Sequence, residues 1–440
     1  MVLTKESLVS RWLKETNGFW FVLYATTMAF GLYTCVYAIR KTFSVATFEG
    51  IYFVGISYKV WLVMFQVIGY ALSKFVGIKF ISELKQGSRF AGILLMASIA
   101  TISWLLFAVI PPPYNIVFLF TNGFPLGLVW GMIFSYLEGR RCTEVLGAGL
   151  SVSFIFSAGF VKSSGGFIMQ GWHVSEIWMP FVTSCVFFLP LLAFLWFLDK
   201  LHPPSPLDEL MRTKRQSMNK RERKKFIGRF WPGIIFFTLA YILLTTFREF
   251  RDNFSAELWK SFGYGNSPEI FTATEILVSL AVLAVMGSLM LIKNNHIAFM
   301  INHVIIFFGT IVIGLSTLLF QYGIISPPVW MVLIGTGLYL GYVPFNSIFF
   351  DRMLATFRHV GTVGFLIYVV DSFGYLGSVG MLLYKEFAHA EQSWTEFFIS
   401  AGYYISVVGS LLVAASMTYF YKKYTAQRRP SIERRLIDAL

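Results

Sequence analysis

Residues 18–43, GFWFVLYATTMAFGLYTCVYAIRKTF, decide the fold, because Arg40 and Lys41 are the only charged side chains in the whole stretch. A bilayer core about 30 Å thick requires about 20 apolar residues in a helix. This stretch is therefore long and apolar enough to cross a membrane. A polar, amphipathic segment, residues 1–17, precedes it, so we do not expect a cleaved signal peptide.

Eleven similar stretches follow, and the chain as a whole is 56% hydrophobic and only 13% charged. Soluble domains average about 25% charged residues. The sequence therefore predicts an all-α membrane protein with twelve transmembrane helices. The predicted spans are residues 18–43, 52–78, 89–110, 115–138, 146–170, 177–199, 231–250, 268–292, 297–321, 328–350, 360–384 and 397–421.

A basic segment, residues 200–230, separates the first six spans from the last six. At an offset of 214 residues, five positions of one half match the other: Pro113 and Pro327, Gly123 and Gly337, Gly127 and Gly341, Val129 and Val343, Gly147 and Gly361. We therefore expect two pseudo-symmetric six-helix halves, residues 1–199 and 231–421, with a tail at 422–440. The segment between them is expected to carry a short amphipathic helix on anionic headgroups.

The basic residues lie mostly on one side of the predicted spans. With both termini in the cytoplasm, 27 of the 36 lysines and arginines fall in cytoplasmic segments. The positive-inside rule favours that orientation. We expect a multi-pass protein of the bacterial inner membrane with both termini cytoplasmic, and we expect it to be a monomer.

Ionisable residues inside the spans point to a binding site, because each costs roughly 2.5–3.5 kcal/mol at a helix centre. The cations of this kind are Arg40, Lys74, Lys162 and Arg248. Glu275 and Asp371 could neutralise two of the four, which leaves a positive excess of about two. Unpaired buried cations are costly, so we expect an anionic small molecule between the halves.

Other charged residues fit structural or gating roles. Lys59 lies early in its span and could snorkel to the outer interface. Two charged clusters end spans 4 and 10, and we expect gating pairs there: Glu138 with Arg140 and Arg141, and Asp351 with Arg352. Arg251 lies three residues after Arg248, so either arginine could face the cavity.

Four segments resemble one branch of the major facilitator superfamily. TCVYAIRKTF (34–43) is similar to the "YYLVRKNF" segment of the organophosphate:phosphate antiporters, the glycerol-3-phosphate and hexose-phosphate transporters. YALSKF (70–75) is similar to their "YGFSKF", and YILLTTFREFRDNF (241–254) to their "YLLRYGILDW". TATEILVSL (272–280) has a glutamate where theirs has one. Lys162 and Asp371 have no counterpart in that pattern.

The resemblance implies a twelve-helix transporter fold and a division of roles. Arg40 and Arg248 would bind the substrate phosphate from opposite halves, with Lys74 as a supporting cation and Tyr37 in the aromatic part of the first segment. Lys162 joins these as a candidate substrate contact. Glu275 would be tied to gating or charge balance, and the candidates for coupling or gating are Glu275, Asp371, Glu138, Arg251 and Arg352.

Two further functions stay open at this point. A proton-coupled transporter of a neutral, lipophilic or zwitterionic compound would use Glu275 and Asp371 as proton carriers. A transporter-like sensor would bind the anion and signal to a partner. An enzyme is not expected, since the six histidines are dispersed and no nucleophile has a base at suitable spacing. Nor do we expect a cofactor, a metal or nucleic acid; the expected partners are the anion and membrane lipids.

Overall fold

A computed structural model describes residues 8–82, 86–140, 142–204, 208, 220–357, 364–388 and 391–437. The chain is a bundle of long helices. The first half contains α1 (Leu8–Glu15), α2 (Gly18–Lys41), α3 (Tyr58–Ser82), α4 (Arg89–Val109), α5 (Val117–Leu137), α6 (Thr143–Gly171) and α7 (Met179–Asp199). Short 3-10 turns at Thr42–Val45, Gln86–Ser88 and Tyr114–Ile116 join these helices.

The second half repeats the pattern with some breaks. It contains α8 (Lys220–Asn253), α9 (Ser255–Ser261), α10 (Glu269–Met290), α11 (Asn295–Gln321), α12 (Pro327–Ser347), α13 (Phe349–Thr356), α14 (Gly364–Ala388), α15 (Trp394–Tyr404) and α16 (Ser410–Ile437). A π-helical turn, Ile405–Gly409, joins α15 to α16, so these three segments form one continuous rod.

The prediction of a twelve-helix membrane protein is confirmed. Ten described helical segments are long and apolar enough to cross a membrane. The other two spans, α3 and α14, are helices of 25 residues each. They pack against each other between the halves, where Lys59, Lys74 and Asp371 lie.

Each half is a packed unit, and the halves are joined mainly by two helix pairs. In the first half α2 packs on α6 and α7, and α5 packs on α3 and α4. In the second half α8 packs on α14 and α16, and α12 packs on α10 and α11. The halves meet where α6 packs on α10 and where α3 packs on α14. We call the end of the bundle that carries residues 42–57 and 254–268 the far end.

The predicted start of the second span was wrong. Residues 52–57 form a two-stranded hairpin, Tyr52–Phe53 paired with Ile56–Ser57, and the helix begins at Tyr58. The turn residues Val54 and Gly55 both have positive φ, 52° and 74°. Two such residues match the right-handed twist of a hairpin and cannot continue a helix.

The seventh span also differs from its predicted start at residue 231. Helix α8 begins at Lys220, so the basic end of the central segment is part of the same helix. Lysine, arginine and glutamate are good helix formers, and long basic side chains can reach headgroups from such a helix. The amphipathic helix expected in the central segment falls mainly on residues 205–219, which, except for 208, lie outside the described residues.

Candidate functional site

Ten ionisable side chains are buried between the halves, below the far end, and we call them the central charge cluster. Their basic members are Arg40, Lys41, Lys74, Lys162, Arg248 and Arg251, and their acidic members are Glu249, Asp252, Glu275 and Asp371. Each is less than a tenth exposed. With six bases and four acids, the cluster has two more positive than negative charges, so its own residues do not neutralise it.

The two halves contribute different charges to this cluster. The first half supplies four bases: Arg40 and Lys41 from α2, Lys74 from α3 and Lys162 from α6. All four acids come from the second half, on α8, α10 and α14. Neutralisation therefore takes place mainly across the interface between the halves.

Arg40 is the least neutralised base of the cluster. Its guanidinium lies over the ring of Tyr70, with 3.5 Å from Cζ to the ring centroid. Neither Nε nor Nη2 has a hydrogen-bond partner among the described residues, although both atoms are buried. These two nitrogens form one edge of the guanidinium, whose N–H bonds are parallel and suit the two oxygens of a carboxylate or phosphate.

Arg248 approaches the same space from the second half. Its Nη2 donates to Glu249 Oε1 at 2.8 Å and to the Tyr375 hydroxyl at 3.3 Å. Its Cζ lies 4.6 Å from the centroid of the Tyr342 ring. Tyr375 also packs edge-on against Tyr70, the ring under Arg40, with 5.0 Å between centroids. A pair of touching tyrosines therefore links the two arginines.

Asp252 binds three groups of the first half. Lys162 Nζ donates to Asp252 Oδ1 at 2.6 Å, and the Tyr37 hydroxyl donates to Oδ2 at 2.7 Å. Lys41 Nζ lies 3.7 Å from the same Oδ2. The sequence-predicted candidates Lys162 and Tyr37 thus reach the cluster, but both are held by a carboxylate that was not among the predicted site residues.

Glu249 is shared between the halves. Its Oε2 accepts from Lys41 Nζ at 3.0 Å, while its Oε1 accepts from Arg248. Lys41 also donates to Asn253 Oδ1 at 2.8 Å. Glu249 therefore holds one arginine and one lysine with a single negative charge.

Arg251 points away from Arg248, toward α10 and α12. Its Nη1 lies 2.7 Å from Glu275 Oε1, and its Nη2 donates to the Met331 carbonyl at 3.1 Å. Glu275 was expected to neutralise one of four other cations, and that pairing was wrong. Arg248 and Arg251 lie about one turn apart on α8, and it is Arg248 that lies against Tyr342 and Tyr375.

Asp371 and Lys74 form an ion pair next to Tyr70. Lys74 Nζ is 3.9 Å from Asp371 Oδ2, and Asp371 Oδ1 accepts a short hydrogen bond from the Tyr241 hydroxyl. Lys74 Nζ also lies 4.9 Å from the centroid of the Tyr70 ring. The predicted pairing of Asp371 with one of the buried cations is thus present, across α3 and α14.

A further buried ion pair, outside the central charge cluster, lies closer to the far end. Lys59 Nζ lies 2.6 Å and 2.8 Å from the two carboxylate oxygens of Glu257 and donates to the Ser44 carbonyl at 2.9 Å. Lys59 is 1% exposed, so the expectation that it snorkels to the interface was wrong. It has partners inside the protein, because α9 places Glu257 directly over the start of α3.

Glu138 and Arg352 lie outside the cluster. Glu138 is the residue that ends α5, and Arg352 Nη1 donates to Asn295 Oδ1 at 2.7 Å on the exposed surface of its own half. In the first half, Arg140 donates to the His202 carbonyl and lies 4.9 Å from the Phe21 ring centroid. Gating at these two clusters stays a prediction, and Arg141 lies outside the described residues.

Sequence reasoning missed four members of the site: Lys41, Glu249, Asp252 and Asn253. A signal for the last three was present, since they occupy one short stretch with the two span 7 arginines. Lys41 stood at the predicted end of its span, where a lysine ordinarily reaches water. Within the described residues, no group of three or more His, Cys, Asp or Glu side chains is placed to hold a metal ion.

Solved structures with the same fold are membrane transporters. A D-xylose-proton symporter superposes with a TM-score of 0.59 at 14% sequence identity, over 89% of this chain and 97% of that one. The nucleoside transporter NupG superposes with a TM-score of 0.57 at 16% identity, over 91% of this chain and 98% of that one. A point mutant of NupG gives a TM-score of 0.59 at 16% identity, over 91% of this chain and 99% of the mutant.

These likenesses establish the fold of the major facilitator superfamily and a multi-pass membrane protein. They do not extend to the organophosphate:phosphate antiporter branch. No curated protein matches the sequence. A family model described as a family of unknown function, DUF5690, matches residues 42–423, and the chain belongs to that family.

Proposed function

We propose that this protein is a secondary active transporter that moves a small organic anion by alternating access. The observation that carries the proposal is the free edge of Arg40. A guanidinium that is 4% exposed, with Nε and Nη2 both buried and unbonded to any described residue, is costly without a ligand. A carboxylate or phosphate would complete both hydrogen bonds at once.

The charge balance supports the same class of ligand. Two positive charges remain in the central charge cluster after its four acids are counted. A dianion, such as a phosphate monoester or a dicarboxylate, would neutralise them. Phosphorylated metabolites therefore stay within the proposal, as one group of organic anions.

The position of the two arginines explains how such a ligand would couple to conformation. Arg40 belongs to the first half and Arg248 to the second, and the touching rings of Tyr70 and Tyr375 separate them. An anion held by both arginines would favour states in which the halves are close. It would also compete with Glu249 for Arg248.

One observation favours a second candidate, proton-coupled transport. Glu275 Oε2 is buried and has no hydrogen-bond partner within the described part of the chain. A carboxylate oxygen in that position is a reasonable proton acceptor. Glu275 could then exchange protons when Arg251 releases it and keeps only the hydrogen bond to the Met331 carbonyl, and the substrate could be neutral.

Ligand-induced stabilisation of the purified protein tests the leading proposal. A ligand that binds the folded state raises its apparent melting temperature by mass action. We expect stabilisation by members of a panel of phosphate monoesters, dicarboxylates and inorganic phosphate, and none by uncharged sugars or nucleosides. Arg40→Lys retains the charge but loses the fork, so we expect affinity to fall about tenfold to a hundredfold.

Arg229→Lys is the matched control, because that arginine is exposed near the start of α8, nineteen residues before Arg248. It should leave the affinity unchanged. The proposal is wrong if no anion stabilises the protein, or if Arg40→Lys and Arg229→Lys behave alike. Uptake into proteoliposomes with and without a pH gradient then separates anion exchange from proton coupling, where Glu275→Gln should abolish only the latter.

Orientation and location belong to the same proposal. Most lysines and arginines lie in segments on the same side of the predicted spans as both termini. This excess supports cytoplasmic termini in a bacterial inner membrane. Single cysteines introduced in the hairpin at Tyr52 and in the surface helix at Leu8, both exposed, would test it by labelling of intact cells. We expect only the Tyr52 position to react with a membrane-impermeant reagent.

A further inference from the structure

The last turn of α2, which carries Arg40, is held by side chains from three other helices. The Ile39 carbonyl accepts from Asn122 Nδ2 at 3.2 Å and from Trp104 Nε1. The Arg40 carbonyl accepts from Gln66 Nε2 at 2.6 Å. Gln66, Trp104 and Asn122, which lie on α3, α4 and α5, are called the carbonyl clamp below.

Carbonyls near the end of a helix need such partners. The last four carbonyls of an α-helix have no intrahelical donor, and α2 ends at Lys41 before a 3-10 turn. In most helices these carbonyls accept hydrogen bonds from water or from the backbone of a turn that contains glycine. Here the groups are deep inside the protein, and the clamp residues are at most 1% exposed.

The packing of α3 on α5 brings two clamp residues together. A Cβ at Gly123 would lie 2.4 Å from the Gln66 carbonyl oxygen, and one at Gly69 would lie 2.6 Å from the Phe120 carbonyl oxygen. The helices therefore touch backbone to backbone at these glycines. Gln66 Nε2 also donates to Asn122 Oδ1 at 2.9 Å, so the two amides form one unit.

We propose that Gln66, Trp104 and Asn122 are positioning residues for Arg40. They fix the height and rotation of the last α2 turn, and this places the guanidinium on Tyr70 with its Nε and Nη2 edge free. Arg248 lies inside the long helix α8, well before its end at Asn253, and is oriented through its side chain by Glu249 and Tyr375. The inference rests on the proposed function only where it links Arg40 to anion affinity.

A matched pair of substitutions tests the clamp. Trp104→Phe removes one donor to the Ile39 carbonyl and keeps an aromatic ring beside Phe43 and Phe107. Trp330→Phe is the control, because Trp330 is equally buried but donates to the Thr317 hydroxyl, away from the cluster. Gln66→Met is a second variant, which removes the donor to the Arg40 carbonyl at similar volume.

The first readout needs no substrate. Phenylglyoxal modifies arginine side chains, and peptide mass spectrometry gives the rate separately for Arg40 and Arg248. We expect Trp104→Phe and Gln66→Met to speed the modification of Arg40 several-fold and to leave Arg248 and the Trp330→Phe control unchanged. Equal rates at Arg40 in all four proteins, wild type included, would overturn the proposal, as would an equal increase at both arginines.

The second readout uses inorganic phosphate as the probe in the melting assay. If the clamp variants misplace the Arg40 guanidinium, which would make charge-assisted hydrogen bonds to phosphate, the affinity of the protein for phosphate should fall about tenfold. If Arg40 reacts faster in the clamp variants but the wild-type protein does not bind phosphate, the clamp is supported and the anion site is contradicted. If Arg40 reacts at the same rate in the variants but the wild-type protein binds phosphate, the anion site is supported and the clamp is contradicted.

Discussion

The two halves share a fold but differ in charge where they meet. The first half presents the bases Arg40, Lys41, Lys59, Lys74 and Lys162, and the second half presents the acids Glu249, Asp252, Glu257, Glu275 and Asp371 together with Arg248 and Arg251. An interface of this kind is neutralised only while the halves are in contact. The contact between the halves at the far end, where Lys59 meets Glu257, is therefore held by charge pairing as well as by packing.

The difference also explains why Arg40 stands apart. Every acid of the central charge cluster is already bound to another base or to a tyrosine, so no described acid is left for Arg40. A substrate anion would supply the missing negative charge. Because bases are in excess, we expect the removal of an acid to lower the stability of the protein more than the removal of a base.

The largest effect is expected for Asp252→Asn. The substitution removes the negative charge beside Lys162 and Lys41 and one of the two acceptor oxygens, so the remaining amide oxygen can accept at the Lys162 position or at the Tyr37 position but not at both. Breaking a buried ion pair from one side typically costs about 3–5 kcal/mol. Thermal unfolding of the purified protein should therefore shift strongly to lower temperature.

Lys162→Met is the matched change on the other side of that pair. Asp252 would keep Lys41 and the Tyr37 hydroxyl, so we expect a smaller loss of stability than for Asp252→Asn. The double variant should be more stable than Asp252→Asn alone, because one uncompensated lysine is gone. Equal losses in the two single variants would contradict the charge asymmetry between the halves.

The sequence predicted the twelve spans and three buried bases of the first half, Arg40, Lys74 and Lys162, because both depend on local hydropathy. The sequence did not predict which buried acid pairs with which buried base. Asp252 reaches Lys162 from 90 positions away along the chain, and Arg248 and Arg251 are distinguished only by the rotation of α8. Lys41 becomes a buried member because the 3-10 turn and the residues after it cover the end of α2.

An intermediate effect is expected at the Lys59–Glu257 pair. Lys59 is 1% exposed and Glu257 14%, so Lys59→Met leaves a carboxylate that can still reach water at the far end. The pair joins the halves, and its loss should shift the equilibrium toward opening of that end. Spin labels at Tyr52 and Asn266, in a variant lacking the three native cysteines, should show a larger fraction of long distances. An unchanged distance distribution would mean that this pair does not hold the far end closed.

The smallest effect is expected at the exposed pair of Glu49 and Lys260, whose side chains are 62% and 55% exposed. Here the polarity is reversed, with the acid on the first half and the base on the second. Exposed ion pairs contribute little, because water screens the charges and ordering two long side chains costs entropy. Glu49→Gln should therefore leave both the spin-label distances and the melting temperature unchanged. If instead Glu49→Gln increased the spin-label distances as much as Lys59→Met does, contact at the far end would depend on the number of ion pairs between the halves. The burial of a pair, and which half carries its acid, would then not explain the effect.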